Sequence, residues 1–112
     1  MRSAVSLLQP CLLLLLSERP GHGYALMEQL RSFDLLLQDD PGTVYRALHG
    51  LERKGMVEAR WEITSSGPAR KVYNVTRHGT AALRSWTRDL EGMRKLLDRY
   101  LLRYRDLMER HG

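Results

Sequence analysis

The chain predicts a mainly α-helical domain with one small β-hairpin, extended by a long C-terminal helix. Three observations carry that expectation. A helix with a capping residue begins at Asp40-Pro41 and stops at Lys54-Gly55. Two strand-like runs then flank Ser65-Ser66-Gly67-Pro68-Ala69-Arg70-Lys71, a turn with a basic tip. From about Arg77 the sequence stays helical to near Arg110. A helix that fits a DNA major groove, beside a hairpin that reaches a neighbouring groove, is the winged helix-turn-helix arrangement.

The elements follow in order. Residues 4–17 read as a helix whose leucines are apolar nearly all round, so it should be buried on several sides. Pro10 acts there as a kink or as the first residue of its main part. Arg19-Pro20-Gly21-His22-Gly23 reads as a turn rich in breakers. Tyr24 to Ser32 follows as a second helix, with Tyr24, Met27 and Leu30 on one face, Leu26 adjoining, and Glu28 and Arg31 turned out. Leu35-Leu36-Leu37 fits either an extension of that helix or a short apolar link.

Asp40 suits an N-cap, because its carboxylate can accept from the free amides of the first turn. Pro41 takes the first helical position, where its missing N–H costs nothing. Val44, Leu48 and Leu51 recur at helical spacing and face inward, leaving Thr43, Tyr45, Arg46, His49, Gly50 and Arg53 largely outside. Gly55 supplies a left-handed stop. Met56 to Thr64 is a strand with Met56, Val57, Trp61 and Ile63 as its apolar content, and Lys71 to Val75 is the return strand. Thr76 can cap the last helix.

In that helix Leu83, Trp86, Leu90, Met93, Leu97, Tyr100, Tyr104 and Leu107 form an a/d seam sustained over more than three heptads. At about 1.5 Å per residue the helix would be about 50 Å long. A domain this small cannot cover such a stripe, so the outer half requires a partner. Gly92 weakens the helix by about 1 kcal/mol relative to Ala and fits a bend or a close helix approach.

Composition bounds the function. With 112 residues the chain holds one small domain, or a domain plus an appendage, and pairing with a second copy would enlarge its core. The formal charge is +5, unevenly spread. Residues 1–40 carry three Arg and five acids, net −2; residues 41–78 carry seven Lys/Arg and three Glu, net +4; residues 79–112 carry eight and five, net +3. The strongest excess coincides with the candidate reading helix and wing, as a nucleic-acid partner requires. A lone Cys11 excludes an intramolecular disulfide and fits a reducing compartment; in an apolar run it suits inert packing. The N-terminal leucines are broken by Pro10, lack a small-x-small cleavage site and fall far short of the about 20 residues of a membrane span. A cytoplasmic protein with no membrane partner is expected.

The outer face of the reading helix offers Thr43, Tyr45, Arg46, His49 and, at its end, Arg53. Short or planar donors near a helix N-terminus suit base edges, and Arg suits guanine or phosphate. A solvated helix face would look similar for Arg46 and His49 alone; the cap, the stop and the basic hairpin favour DNA. Partial packing against the second helix is the competing role for Tyr45. Arg70 and Lys71 behind the Gly-Pro turn are the wing cations, suited to phosphates or a minor groove. Trp86, with Leu83, Leu90 and Met93, lies where a planar apolar ligand could stack. Leu90, Met93, Leu97, Tyr100, Tyr104 and Leu107 are the expected dimer contacts. His22, His49, His78 and His111 have no Cys or carboxylate at metal-ligand spacing. No nucleophile elbow, phosphate loop or catalytic carboxylate pair stands out, so an enzyme, a metal site and a cofactor are not expected.

Three stretches resemble the PadR family of bacterial transcriptional regulators. They are Gly21-His22-Gly23-Tyr24; Pro41-Gly42-Thr43-Val44-Tyr45-Arg46-Ala47-Leu48 with Leu51-Glu52-Arg53-Lys54-Gly55-Met56-Val57; and Gly67-Pro68-Ala69-Arg70-Lys71-Val72-Tyr73 with Val75-Thr76-Arg77-His78-Gly79. The single C-terminal helix resembles the family's smaller subtype. The resemblance implies a homodimeric winged-helix repressor on double-stranded DNA with a palindromic operator. Residues 1–78 would be the winged helix-turn-helix domain and residues 79–112 the dimerisation helix, packed with the partner's N-terminal helix. It also implies a small aromatic or planar apolar effector near the subunit interface. A winged-helix protein-interaction module without specific DNA binding is the alternative.

Overall fold

The computed structural model describes residues 7–33 and 41–112, with Pro41 described in its backbone only. The expectations for residues 4–6, for Leu35-Leu36-Leu37 and for Asp40 as a cap lie outside the described residues. The elements run α1 (Leu8–Glu18), β1 (Gly21–His22), α2 (Gly23–Leu30), α3 (Pro41–Arg53), β2 (Val57–Glu62), β3 (Arg70–Val75) and α4 (Arg77–His111).

Helix α1 is the centre of the core and packs against α2, α3, α4 and β3. Leu8, Leu12, Leu13, Leu15 and Leu16 are buried, while Leu14 faces solvent. Pro10 sits in the first turn of α1, where no amide needs a helical acceptor, so it neither kinks the helix nor opens it.

The turn expected at residues 19–23 is in part a strand. Arg19 precedes Pro20 and is extended, as a pre-proline residue should be. The extended chain carries on through Gly21 and His22, which pair antiparallel with Tyr73 and Val72. The sheet order is therefore β1-β3-β2, three strands rather than a lone hairpin. The β2–β3 register runs from Val57↔Val75 to Glu62↔Arg70. Thr64 ties the connecting loop by donating through Oγ1 to the Gly67 carbonyl at 2.9 Å.

Helix α2 is turned differently from expectation. Its buried face is Gly23, Leu26 and Leu30, with Met27 at the margin, and Tyr24 is 66 % exposed. Helix α3 keeps the expected inner face of Val44, Leu48 and Leu51. Gly50, expected outside, is buried where α1 crosses α3; a Cβ there would lie 2.6 Å from Gln9 Nε2. Gln9 clamps the crossing, donating to the Ala47 carbonyl at 3.3 Å and accepting from Lys54 Nζ at 2.9 Å. Gly55 ends the helix at φ 74°, a conformation that favours glycine.

Thr76 caps α4 as expected, accepting from the Gly79 amide at 3.1 Å. The first turns of α4 lie on the core through Ala82, Leu83 and Trp86. From Leu90 onward every residue is exposed. The molecule measures 66 × 27 × 20 Å because this helix projects from the domain. Nothing in the described chain comes within 4 Å of a Cβ placed on Gly92.

Candidate nucleic-acid interface

The site is assembled by three elements. The amphipathic pattern of α3 buries Val44, Leu48 and Leu51, which forces Tyr45, Arg46, His49 and Arg53 to the outside. Thr43 is half-buried, and its hydroxyl accepts from Arg46 Nη2 at 3.1 Å, one turn away. The β1–β3 pairing brings the start of α2 against the root of the wing. An open groove of about 600 Å³ results, bounded by α2, α3 and the wing.

Four of the expected DNA-contacting residues line this groove: Tyr45 and His49 from α3, Arg70 and Lys71 from β3. Thr43, Arg46 and Arg53 belong to the same helix but do not line it. Tyr45 has two roles at once. Its ring rests on Gly23 of α2, the packing weighed as its structural explanation, yet 42 % of it stays exposed.

The two wing cations differ. Lys71 Nζ lies 3.2 Å from Glu52 Oε1 and 5.4 Å from the centre of the Tyr73 ring. The Glu52 hydrogen bond holds the Lys71 ammonium above its ordinary value, against a smaller opposing effect of burial. Part of that charge is thus already neutralised within the chain. Arg70 is exposed, and among the described residues no carboxylate forms an ion pair with it. Its guanidinium stands 3.4 Å from His22 Nε2. Of the flanking cations, Lys54 is engaged by Gln9 and lies 5.8 Å from the Trp86 ring centre.

Five groove residues escaped sequence reasoning: His22, Gly23, Tyr24, Trp61 and Tyr73. His22 looks like part of a turn in the sequence, whereas its side chain caps α2 by accepting from the Ala25 amide at 3.3 Å. The apolar pattern alone turns Tyr24 inward; centring the helical stripe on Gly23, Leu26 and Leu30 turns it out. Trp61 and Ile63 look like apolar content of the first wing strand, yet they are 67 % and 89 % exposed. β2 ends at Glu62, and only Val57 and, in part, Ala59 of this strand reach the core, so Trp61 and Ile63 lie past its edge.

The residues marked for an effector occupy the root of α4. Leu83 and Trp86 are half-buried against the core, whereas Leu90 and Met93 face solvent. Burial pushes the Cys11 thiol pKa up, which suits a packing role. Among the described residues no three His, Cys, Asp or Glu side chains gather as a metal site would need, and no helix is long and apolar enough to cross a membrane.

Residues 12–85 match the model of the transcriptional regulator PadR-like family. No match is found among curated proteins. Three solved structures are similar over 71–97 % of this chain. TM0937, a conserved protein of unknown function described as a potential transcriptional factor, is 33 % identical, with 97 % of each chain covered and a TM-score of 0.81. A PadR family transcription regulator from Clostridium difficile R20291 is 26 % identical, covering 85 % of this chain and 98 % of its own, with a TM-score of 0.76. Bacillus subtilis PadR, solved in complex with operator DNA, shares the fold at 24 % identity and a TM-score of 0.63, over 71 % of this chain and 46 % of its own.

Proposed function

The chain belongs to the transcriptional regulator PadR-like family, and on that premise we propose that it is a homodimeric, sequence-specific DNA-binding repressor. Residues 1–78 form the winged helix-turn-helix domain and residues 79–112 the dimerisation helix. The observation that carries this reading is the joint placement of Tyr45, His49, Arg70 and Lys71 on one open groove. Each subunit lays α3 in a major groove, with Thr43, Tyr45, Arg46 and His49 toward base edges and phosphates, Arg53 toward the backbone and the wing on the flanking phosphates. The operator complex of Bacillus subtilis PadR supports duplex DNA as the ligand class.

Two-fold symmetry then requires a palindromic operator with half-sites about 34 Å apart. The test is selection of duplexes from a random pool by the full chain, followed by affinity measurements across salt concentrations. With about three cationic phosphate contacts per subunit, log K against log salt should fall with a slope near −5. Failure to enrich any sequence, or an affinity indifferent to salt, overturns the reading and favours a winged-helix module that binds another protein.

A planar apolar effector stacks on Trp86, beside Leu83, Leu90 and Met93, and acts by favouring one of two dimer states that differ in the angle between wings. Trp86 fluorescence in a Trp61→Phe variant reports its binding. The protein works in the cytoplasm, where operator DNA is found.

A further inference from the structure

The contact between His22 and Arg70 holds a conflict of donors. His22 Nδ1 accepts from the Ala25 amide at 3.3 Å. That bond assigns the tautomer: Nδ1 is bare and Nε2 carries the proton. Arg70 has only donors, and its Nη1 lies 3.4 Å from His22 Nε2. Two N–H groups therefore converge, each needing an oxygen that the other cannot supply. Both line the groove shared with Tyr45 and His49, and the Gly21↔Tyr73 and His22↔Val72 pairing fixes their spacing through the backbone.

We propose that His22 Nε2–H and the Arg70 guanidinium together grip one phosphate oxygen of the DNA backbone, making His22 a DNA-contacting residue that joins the start of α2 to the wing. The assignment rests on this groove being the DNA face. A phosphate fits both donors: its oxygens offer several lone pairs and a negative charge, and hydrogen bonds to charged acceptors are the stronger kind. The contact carries no base information. It fixes the wing's register on the duplex.

The test uses a duplex enriched by the wild-type full chain. His22→Asn keeps a side-chain oxygen at the cap position but loses the Nε2–H reach. It should retain the wild-type melting temperature and bind about tenfold more weakly per half-site, the effect of one hydrogen bond to a charged acceptor. Arg70→Gln should weaken binding at least as much. The double variant should be no weaker than the worse single variant within about threefold, because both act on one phosphate. Replacing phosphates singly by neutral methylphosphonate should reveal one position where the two variants lose nothing further. Multiplicative losses, or wild-type affinity in His22→Asn, overturn the shared grip. So does an imidazole nitrogen correlation spectrum of the wild-type protein that places the proton on Nδ1. A wild-type chain that enriches no duplex overturns instead the DNA reading beneath it.

Discussion

The ring of Tyr45 in α3 lies on the Cα of Gly23 in α2, so closely that a methyl group at residue 23 would meet its Cζ and Oη at 2.8 Å. Gly23 is the first residue of α2, and Tyr45 borders the groove. The absent side chain therefore sets where the tyrosine points. Gly23→Ala should destabilise the fold by no more than about 1 kcal/mol, because the half-exposed ring can swing aside and Ala has the better helix propensity. Urea unfolding of Gly23→Ala, Tyr45→Ala and the double variant checks it. The cost of Gly23→Ala should vanish once the ring is gone, and purely additive losses would show that the contact does not matter.

A second junction ties α4 to the reading helix. The Thr76 hydroxyl accepts from the Gly79 amide at 3.1 Å and donates to the Gly55 carbonyl at 2.6 Å, while the Thr76 amide donates to the Met56 carbonyl at 3.0 Å. A Cβ on Gly79 would run into that same Met56 carbonyl, which is backbone and held. Gly79→Ala should therefore cost about 2–3 kcal/mol and Thr76→Ala about 1 kcal/mol. Denaturant midpoints rank the two, and a Gly79→Ala protein as stable as the wild type would refute the close approach.

Local signals made most of the fold legible. The 3.6-residue period of Val44, Leu48 and Leu51, the stop at Gly55 and the cap at Thr76 all depend on near neighbours, and the structure shows each of them. The misplaced residues depend on pairings distant in sequence. Gly21 and His22 look like a turn until β3 offers a strand to pair with, 52 and 50 residues away respectively. Gly50 looks exposed until α1 crosses it with Gln9. Tyr24 reads as core unless the stripe is centred on Gly23, Leu26 and Leu30, whereas for Trp61 no local rule shows that the core ends before reaching it. The candidate site was thus legible on α3 and at the wing, and hidden on α2.

The Lys71–Glu52 pair makes a pH-dependent prediction. Its side chains are 29 % and 37 % exposed, so Glu52→Gln should cost less than about 1 kcal/mol at neutral pH. The folded-state pKa of Lys71 is raised above 10.5, chiefly by the Glu52 hydrogen bond. A raised value means the contribution is fully present below the unfolded value and fades as pH climbs through the folded one. The stability gap between wild type and Glu52→Gln should stay level from neutral pH to about 10 and narrow above it. The same substitution releases Lys71 toward the groove. The salt slope for DNA should steepen by about one per subunit, and titrations at several salt concentrations would detect an unchanged slope.

The projecting half of α4 makes a prediction about assembly. Leu90, Met93, Leu97, Tyr100, Tyr104 and Leu107 are exposed along one face, and Leu96, Leu101 and Met108 widen the stripe on either side. A two-helix seam needs only the a and d positions; a broader stripe calls for a further helix against it. Leu14 offers a match, the exposed one among the leucines of α1. If α4 packs on α4 and α1 of a second copy, Leu97→Lys places two desolvated charges in the seam and should yield monomers at micromolar concentration. Leu102→Lys, off the stripe, should leave the dimer intact. Leu14→Lys should weaken it without abolishing it. Sedimentation equilibrium of the three variants decides among these arrangements. Because linked half-sites bind with an effective concentration that separate ones lack, the Leu97→Lys monomer should also lose operator affinity by 10² or more. Equal behaviour of Leu97→Lys and Leu102→Lys would mean that the face does not pair with another chain.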